Sequence, residues 1–333
     1  MRFAIIRIGA PVLLGLTSLV FASAHQRSAN PDVAVQRIGF LGLRPLTEIG
    51  VPIAALNKGL RDLGYVEGSD YALDIRVVDN NPDRYPEMIR ELTQLRVKLI
   101  VAASTPAAVA IHKEAPTMPI VVRGPDIVGA GLAESVSRPG GVATGIEELD
   151  PGESERRLRL LKQAVPTISH VAVLSSAPTD NGHATALAEA EQAAKSIGVT
   201  LRVFRVSATT NFDAIFADIA RNGAQAVFCL GGVLSRPVMK TIVDLAAQHR
   251  LPGMYPLRDY VDLGGLMSDA YRNDEIFHAA ATYVDRILKG AKPGDLPLTI
   301  WTKYYLTVNA TTAAKLGIIL PQSLLSQAAE VVK

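Results

Sequence analysis

The chain has 333 residues, 34 Lys and Arg against 32 Asp and Glu for a formal charge of +2, and a single cysteine. So even a charge balance argues against nucleic-acid binding, which rests on clustered basic residues that neutralise phosphates. One cysteine, Cys229, excludes an internal disulfide, so the fold must rest on core burial.

Arg2 and Arg7 precede an apolar stretch that ends in the small-x-small pattern Ala22-Ser23-Ala24. This predicts a cleaved signal peptide over residues 1–24. The stretch is shorter than the roughly 20 apolar residues of a spanning helix, and Gly9, Pro11, Gly15, Thr17 and Ser18 interrupt it. No cysteine stands near the cleavage site, so no lipid anchor is expected. Removing the leader takes Arg2 and Arg7 and no acidic residue, which brings the formal charge to zero. About 310 residues would remain, enough for two domains of ordinary size.

From Ile38 onward, short β-branched runs alternate with segments whose apolar residues recur every three or four positions, the pattern of βα units around a parallel sheet. The predicted strands are Ile38 to Leu41, Leu73 to Val77, Leu99 to Ala102 and Ile120 to Val122. Between them fall a helix carrying Ile53, Leu56, Leu60 and Leu63 and stopped by Gly64, and another carrying Met88, Leu92 and Leu95. The grammar repeats after roughly 130 residues: Val171 to Leu174, Leu201 to Val206 and Ala226 to Leu230 restate the first three strands, and Leu251-Pro252 answers Met118-Pro119. A strand at Leu266 to Ser268, a helix through Phe277, Ala281, Val284 and Leu288, an extended stretch from Leu298 to Asn309 and a terminal helical region follow.

The expected fold class is therefore α/β: two Rossmann-like lobes with parallel sheets, joined by a multi-strand hinge. The N-terminal lobe is read as 36–145 plus 271–300 and the C-terminal lobe as 148–268 plus 305–333, with crossings near 143–150, 268–272 and 299–306. Open α/β sheets bind ligands beyond the carboxyl ends of their strands, so two such edges facing each other enclose a cleft.

The candidate ligand-binding residues lie where strands end. Ser104 and Thr105, after Leu99 to Ala102, cap a helix whose first turn holds Pro106, and such a helix start attracts a carboxylate or phosphate. Capping alone is the plainer account of them. Arg123 suits bidentate pairing with a ligand carboxylate, and Asp126 suits an amino group. Thr47 follows the first strand, Ser176 and Thr179 occupy the equivalent loop of the second lobe, and Gly232 permits close backbone approach. Tyr255 is a stacking candidate for an aromatic ligand. The sequence lacks a phosphate-binding loop, a nucleophile elbow and the dinucleotide glycine fingerprint. Its histidines are scattered without metal-site spacing, so neither a cofactor nor a metal is called, and Cys229 reads as inert core.

Longer motifs carry a family resemblance: Gly59-Leu60-Arg61-Asp62-Leu63-Gly64-Tyr65-Val66-Glu67-Gly68, Ser137-Arg138-Pro139-Gly140-Gly141 with Thr144-Gly145, Tyr283 to Pro293, and Pro321-Gln322-Ser323-Leu324-Leu325. Through these, from about Arg37 to the C-terminus, the chain resembles exported ABC-transporter substrate-binding proteins of the tryptophan/tyrosine-binding type. The resemblance implies a periplasmic-binding-protein fold of the hinged, Venus-flytrap kind, a monomer in the periplasm, no enzymatic activity, a small amino acid or aromatic or organic carboxylate as ligand, and the membrane permease of an ABC importer as partner. It also implies ligand loops at Thr47, Ser104-Thr105, Asp126, Ser176 and Ser268. This chain departs at Asp126-Ile127-Val128, where relatives read Asp-Pro-Val, and at Met267-Ser268-Asp269-Ala270, where they read Met-Ser-Tyr-Gly. Asp269 at the hinge is thus expected to favour a cationic or amino ligand. A periplasmic sensor that docks to a signalling receptor is the alternative function, and an α/β enzyme a third.

Overall fold

A computed structural model of the chain describes residues 35–148, 151–176, 181–207, 209–230 and 235–333, with the backbone only at 176 and 181–183. The expected signal peptide lies outside them. In chain order, β1 (Gln36–Gly42), α1 (Gly50–Asp62), β2 (Tyr71–Val77), α2 (Tyr85–Gln94), β3 (Leu99–Ala102), α3 (Thr105–Glu114), β4 (Ile120–Gly124) and β5 (Ala143–Glu147) build the first lobe. The second lobe runs through α4 (Glu153–Ala164), β6 (His170–Ser176), α5 (Asn181–Ser196), β7 (Thr200–Val206), α6 (Phe212–Arg221), β8 (Ala226–Cys229), α7 (Arg236–Gln248), β9 (Gly253–Tyr255), α8 (Arg258–Asp262) and β10 (Met267–Ala270). The chain then returns to the first lobe for α9 (Asn273–Leu288) and β11 (Thr299–Ile300), and ends in the second with β12 (Tyr305–Asn309), α10 (Ala310–Leu316), α11 (Gln322–Leu325) and β13 (Glu330–Val332).

The first sheet has the order β11-β5-β4-β3-β1-β2 and is parallel throughout. The second has the order β13-β12-β10-β9-β8-β6-β7 and is parallel except where β10 meets β12. The strand periodicity of two explains the layering. Leu99 and Val101 point toward α1 and α9, with Phe40 and Phe277 at 5.7 Å, whereas Ile100 and Ala102 point toward α2 and α3. In the second lobe, Val173 and Phe228 face α4 and α5 while Leu174 and Cys229 face α6 and α7. Both faces of each sheet are covered, which is why the central strands read as unbroken apolar runs.

The structure differs from the sequence expectation in three places. Ala143 to Glu147, read only as a crossing, forms β5, buried along its length between β4 and β11. The extended stretch from Leu298 splits into β11 and β12 of different sheets, and β13 closes an edge the sequence did not suggest. The chain passes between sheets after β5, after β10 and after β11. Among the described residues no helix is long and apolar enough to cross a membrane.

Candidate functional site

In the first sheet β1 is flanked by β2 on one side and β3 on the other, and strand order reverses there. The crevice outside the carboxyl ends of β1 and β3 is the topological switch point, where open α/β sheets take ligands. Thr47 lies exposed on the loop after β1, in a turn of 3-10 helix at Leu46–Glu48. Ser104 caps α3 from an extended backbone, its Oγ accepting from the Ala107 amide at 3.3 Å, with Pro106 in the first turn. Buried Thr105 turns its hydroxyl away from that helix start and donates to the Pro125 carbonyl at 2.6 Å. Gly124 makes this possible: a Cβ there would stand 2.4 Å from Thr105 Oγ1 and 2.7 Å from its amide. The loop after β4 can therefore lie directly on the first turn of α3.

A carboxylate that the sequence reading missed shapes the same loop. Glu147, on β5 beside β4, accepts the Asp126 amide at 2.7 Å and the Ile127 amide at 2.8 Å, one on each oxygen. Asp126 sits between these anchors with φ 56, a left-handed conformation that aspartate tolerates better than bulky side chains. The structure thus brings Ser104, Thr105 and Asp126 together at the edge of α3, with Thr47 across the β1–β3 crevice.

In the second sheet the order reverses between β6 and β8. The loops there hold Thr179 and Gly232, which lie outside the described residues, as does the side chain of Ser176. Ser268 on β10 is fully buried, and its hydroxyl lacks a hydrogen-bond partner.

Three candidates have other employment. Tyr255 is 1% exposed and stacks on Tyr260 at 4.7 Å and 9° within the core beneath α7 and α8, so its ring is not presented to a ligand. Arg123 Nε lies 2.5 Å from the buried Glu148 carboxylate, its Nη2 donates to Asn273 at 3.2 Å, and the guanidinium covers the Tyr271 ring at 5.2 Å. Burial, the largest influence, pulls the pKa of Arg123 down, but Glu148 and Tyr271 together outweigh it and the net shift is upward. Asp269 accepts from Arg156 Nε at 2.7 Å and its carbonyl from Arg157 Nε at 2.8 Å. The expected preference of Asp269 for a cationic ligand does not meet this geometry, because Arg156 already answers its charge.

These residues form the hinge. Glu148 and Glu153 flank the first crossing, Tyr271 sits on the second and Tyr304 on the third. Tyr271 helps hold the Glu148 carboxyl pKa down against burial, the Tyr304 hydroxyl donates to Glu153 at 3.2 Å, and its ring carries the Arg156 guanidinium at 4.1 Å. Arg157 pairs with Glu153 and donates to the Pro256 carbonyl at 3.2 Å. Burial raises the carboxyl pKa of Glu148 and of Glu153, with Arg123 and Arg157 respectively pulling the other way. A signal for Arg157 was present: Ser154, Arg157, Leu161 and Ala164 recur at helical spacing, which places the arginine on the buried stripe of α4.

Residues 52–332 match the family model described as ABC transporter substrate binding protein. The chain belongs to this family. Its fold is shared by solved structures of low sequence identity. An ABC domain in complex with L-Trp from Streptococcus pneumonia superposes with a TM-score of 0.80 at 22% identity, covering 90% of this chain and 100% of that one. A conserved domain protein from Vibrio cholerae gives 0.80 at 23% with the same coverage. The ligand-free, open structure of a substrate-binding protein with adhesive properties from Clostridium difficile gives 0.68 at 18%, again covering 90% and 100%. No curated protein matches the sequence with significance. Like other members of the substrate-binding family with the periplasmic-binding-protein type I fold, the chain builds two α/β lobes around a multi-crossing hinge.

Proposed function

We propose that this family member is the exported, non-enzymatic capture subunit of an ABC importer, which holds an amino acid or an aromatic or organic carboxylate between its lobes and presents it to a membrane permease. The observation that carries the reading is the crevice at the β1–β3 switch point. There the capped start of α3, Ser104, Thr105 and the Asp126 loop converge on one edge of the first sheet. The first amides of α3 and its dipole suit a ligand carboxylate. Thr47, Ser176, Thr179, Gly232 and the unpartnered Ser268 hydroxyl complete the proposed ligand set. The L-Trp bound to the Streptococcus relative supports an amino-acid ligand. In this reading the 1–24 leader directs the chain to the periplasm, and closure follows from the ligand's greater affinity for the closed state.

A thermal-shift screen of the purified protein against amino acids, aromatic acids and short dicarboxylates tests this, because a ligand bound only by the folded state raises the melting temperature. A saturable rise for one chemical class is the expected result. Turnover of a compound without any rise would replace the capture reading with an enzymatic one.

A further inference from the structure

We propose that Arg44 and Asp259 form an ionic latch between the two lobes, which sets how tightly the clamp closes without touching the ligand; this rests on the capture reading above. Arg44 follows β1 in the first lobe and Asp259 lies on α8 in the second, 215 residues along the chain, yet Arg44 Nη1 donates to Asp259 Oδ2 at 2.8 Å. The first and third crossings leave the first sheet at β5 and β11, whereas β1 stands three strands from β5, about 14 Å across at strand spacing. A bond at that distance from the hinge acts on a lever arm, and opening the lobes must break it. Both side chains remain partly open to water, at 23% and 29% exposure, so the pair forms and breaks without the desolvation cost of a buried ion pair. Glu48 lies 3.9 Å from the same Arg44 nitrogen, which gives the arginine an acidic neighbour on its own lobe when the latch is open. The cation thus has an acidic neighbour on each lobe.

A partly exposed pair of this kind shifts an equilibrium by up to about five-fold. Pulsed electron resonance on the ligand-free protein reads that ratio as a distance distribution. Suitable labels are cysteines introduced at exposed Asp83 and Thr209, which follow the outermost strands β2 and β7. Native Cys229 does not compete, because it is buried and burial raises its thiol pKa. In Asp259→Asn the long-distance population is expected to grow by about two- to five-fold relative to the short one. Raising salt from about 0.1 M to about 1 M, which shortens the Debye length from about 10 Å to about 3 Å, is expected to do the same to the unaltered protein. The exchanged pair Arg44→Asp with Asp259→Arg restores the short distance. An unchanged ratio in Asp259→Asn and at high salt would overturn the latch while leaving the clamp intact. A single distance in every variant, unmoved by any compound of the screening panel, would overturn the clamp and the latch with it.

Discussion

The cleft wall of the first lobe and the hinge beneath it solve the problem of buried polar groups in opposite ways. At the wall, Ser104, Thr105 and Glu147 fix the loops through bonds to backbone amides and carbonyls at 2.6 to 3.3 Å. At the hinge, the arginines 123, 156 and 157 are matched to Glu148, Asp269 and Glu153. The difference assigns the tasks. Paired charge is concentrated where the chain crosses between lobes, whereas at the crevice the one buried carboxylate, Glu147, is taken up by two backbone amides, and hydroxyls and a helix start shape the rest.

The largest way to break this contrast is Arg157→Ala. It leaves Glu153 and two carbonyl acceptors facing a void, and removing one partner of a buried pair costs about 3–5 kcal/mol; the denaturation midpoint should fall accordingly. Glu147→Ala unties two amides from a buried carboxylate, an expected loss of about 2–3 kcal/mol. It should also weaken binding of any compound found in the thermal-shift screen, because Asp126 loses both anchors. Glu147→Asp, which keeps the charge but shortens the reach, should recover stability only in part. Ser104→Ala removes a helix cap worth about 1 kcal/mol, measured by chemical denaturation, and Ser104→Thr should be nearly silent.

A smaller effect appears in the pH dependence. Burial lifts the carboxyl pKa of Glu148 and Glu153 above the ordinary 4.5, so between those values the folded chain holds protons that the unfolded chain has released. The sign follows directly. Their contribution to stability is full below about 4.5 and declines as pH rises through the raised values. Melting temperature measured across that window should show this decline, and Glu153→Gln should flatten it.

Much of the fold is legible in the chain because apolar period and strand position report the same thing. The unbroken run Leu99 to Ala102 is a central strand buried on both faces, and the second-lobe echo at Ala226 to Cys229 is its counterpart. Strand β5 escaped because Ala143-Thr144-Gly145-Ile146-Glu147 has one large apolar side chain, and its burial is created by β4 and β11 from distant sequence. The start of α3 is readable from the capping chemistry of Ser104, Thr105 and Pro106. Sequence alone offers Arg123 and Asp269 as ligand groups because their partners, Glu148 and Arg156, lie 25 and 113 positions away, and no local pattern links them. Glu147 was invisible for a related reason: its two acceptors serve backbone amides, which carry no side-chain signature.

The return of α9 and β11 to the first lobe governs how the molecule can be assembled. Phe277 packs on Phe40, and β11 pairs with β5, so the core begun at Gln36 is not closed until Ile300 has been made. A chain emerging from its N-terminus presents a first lobe with one face covered by α1 alone while the whole second lobe is being synthesised. Neither lobe is a contiguous segment that can be cut out and expressed, and truncation before residue 273 removes a helix that covers β1, laid down more than 200 residues earlier. The crossings that make a hinge in the finished protein make its two halves obligate companions during folding.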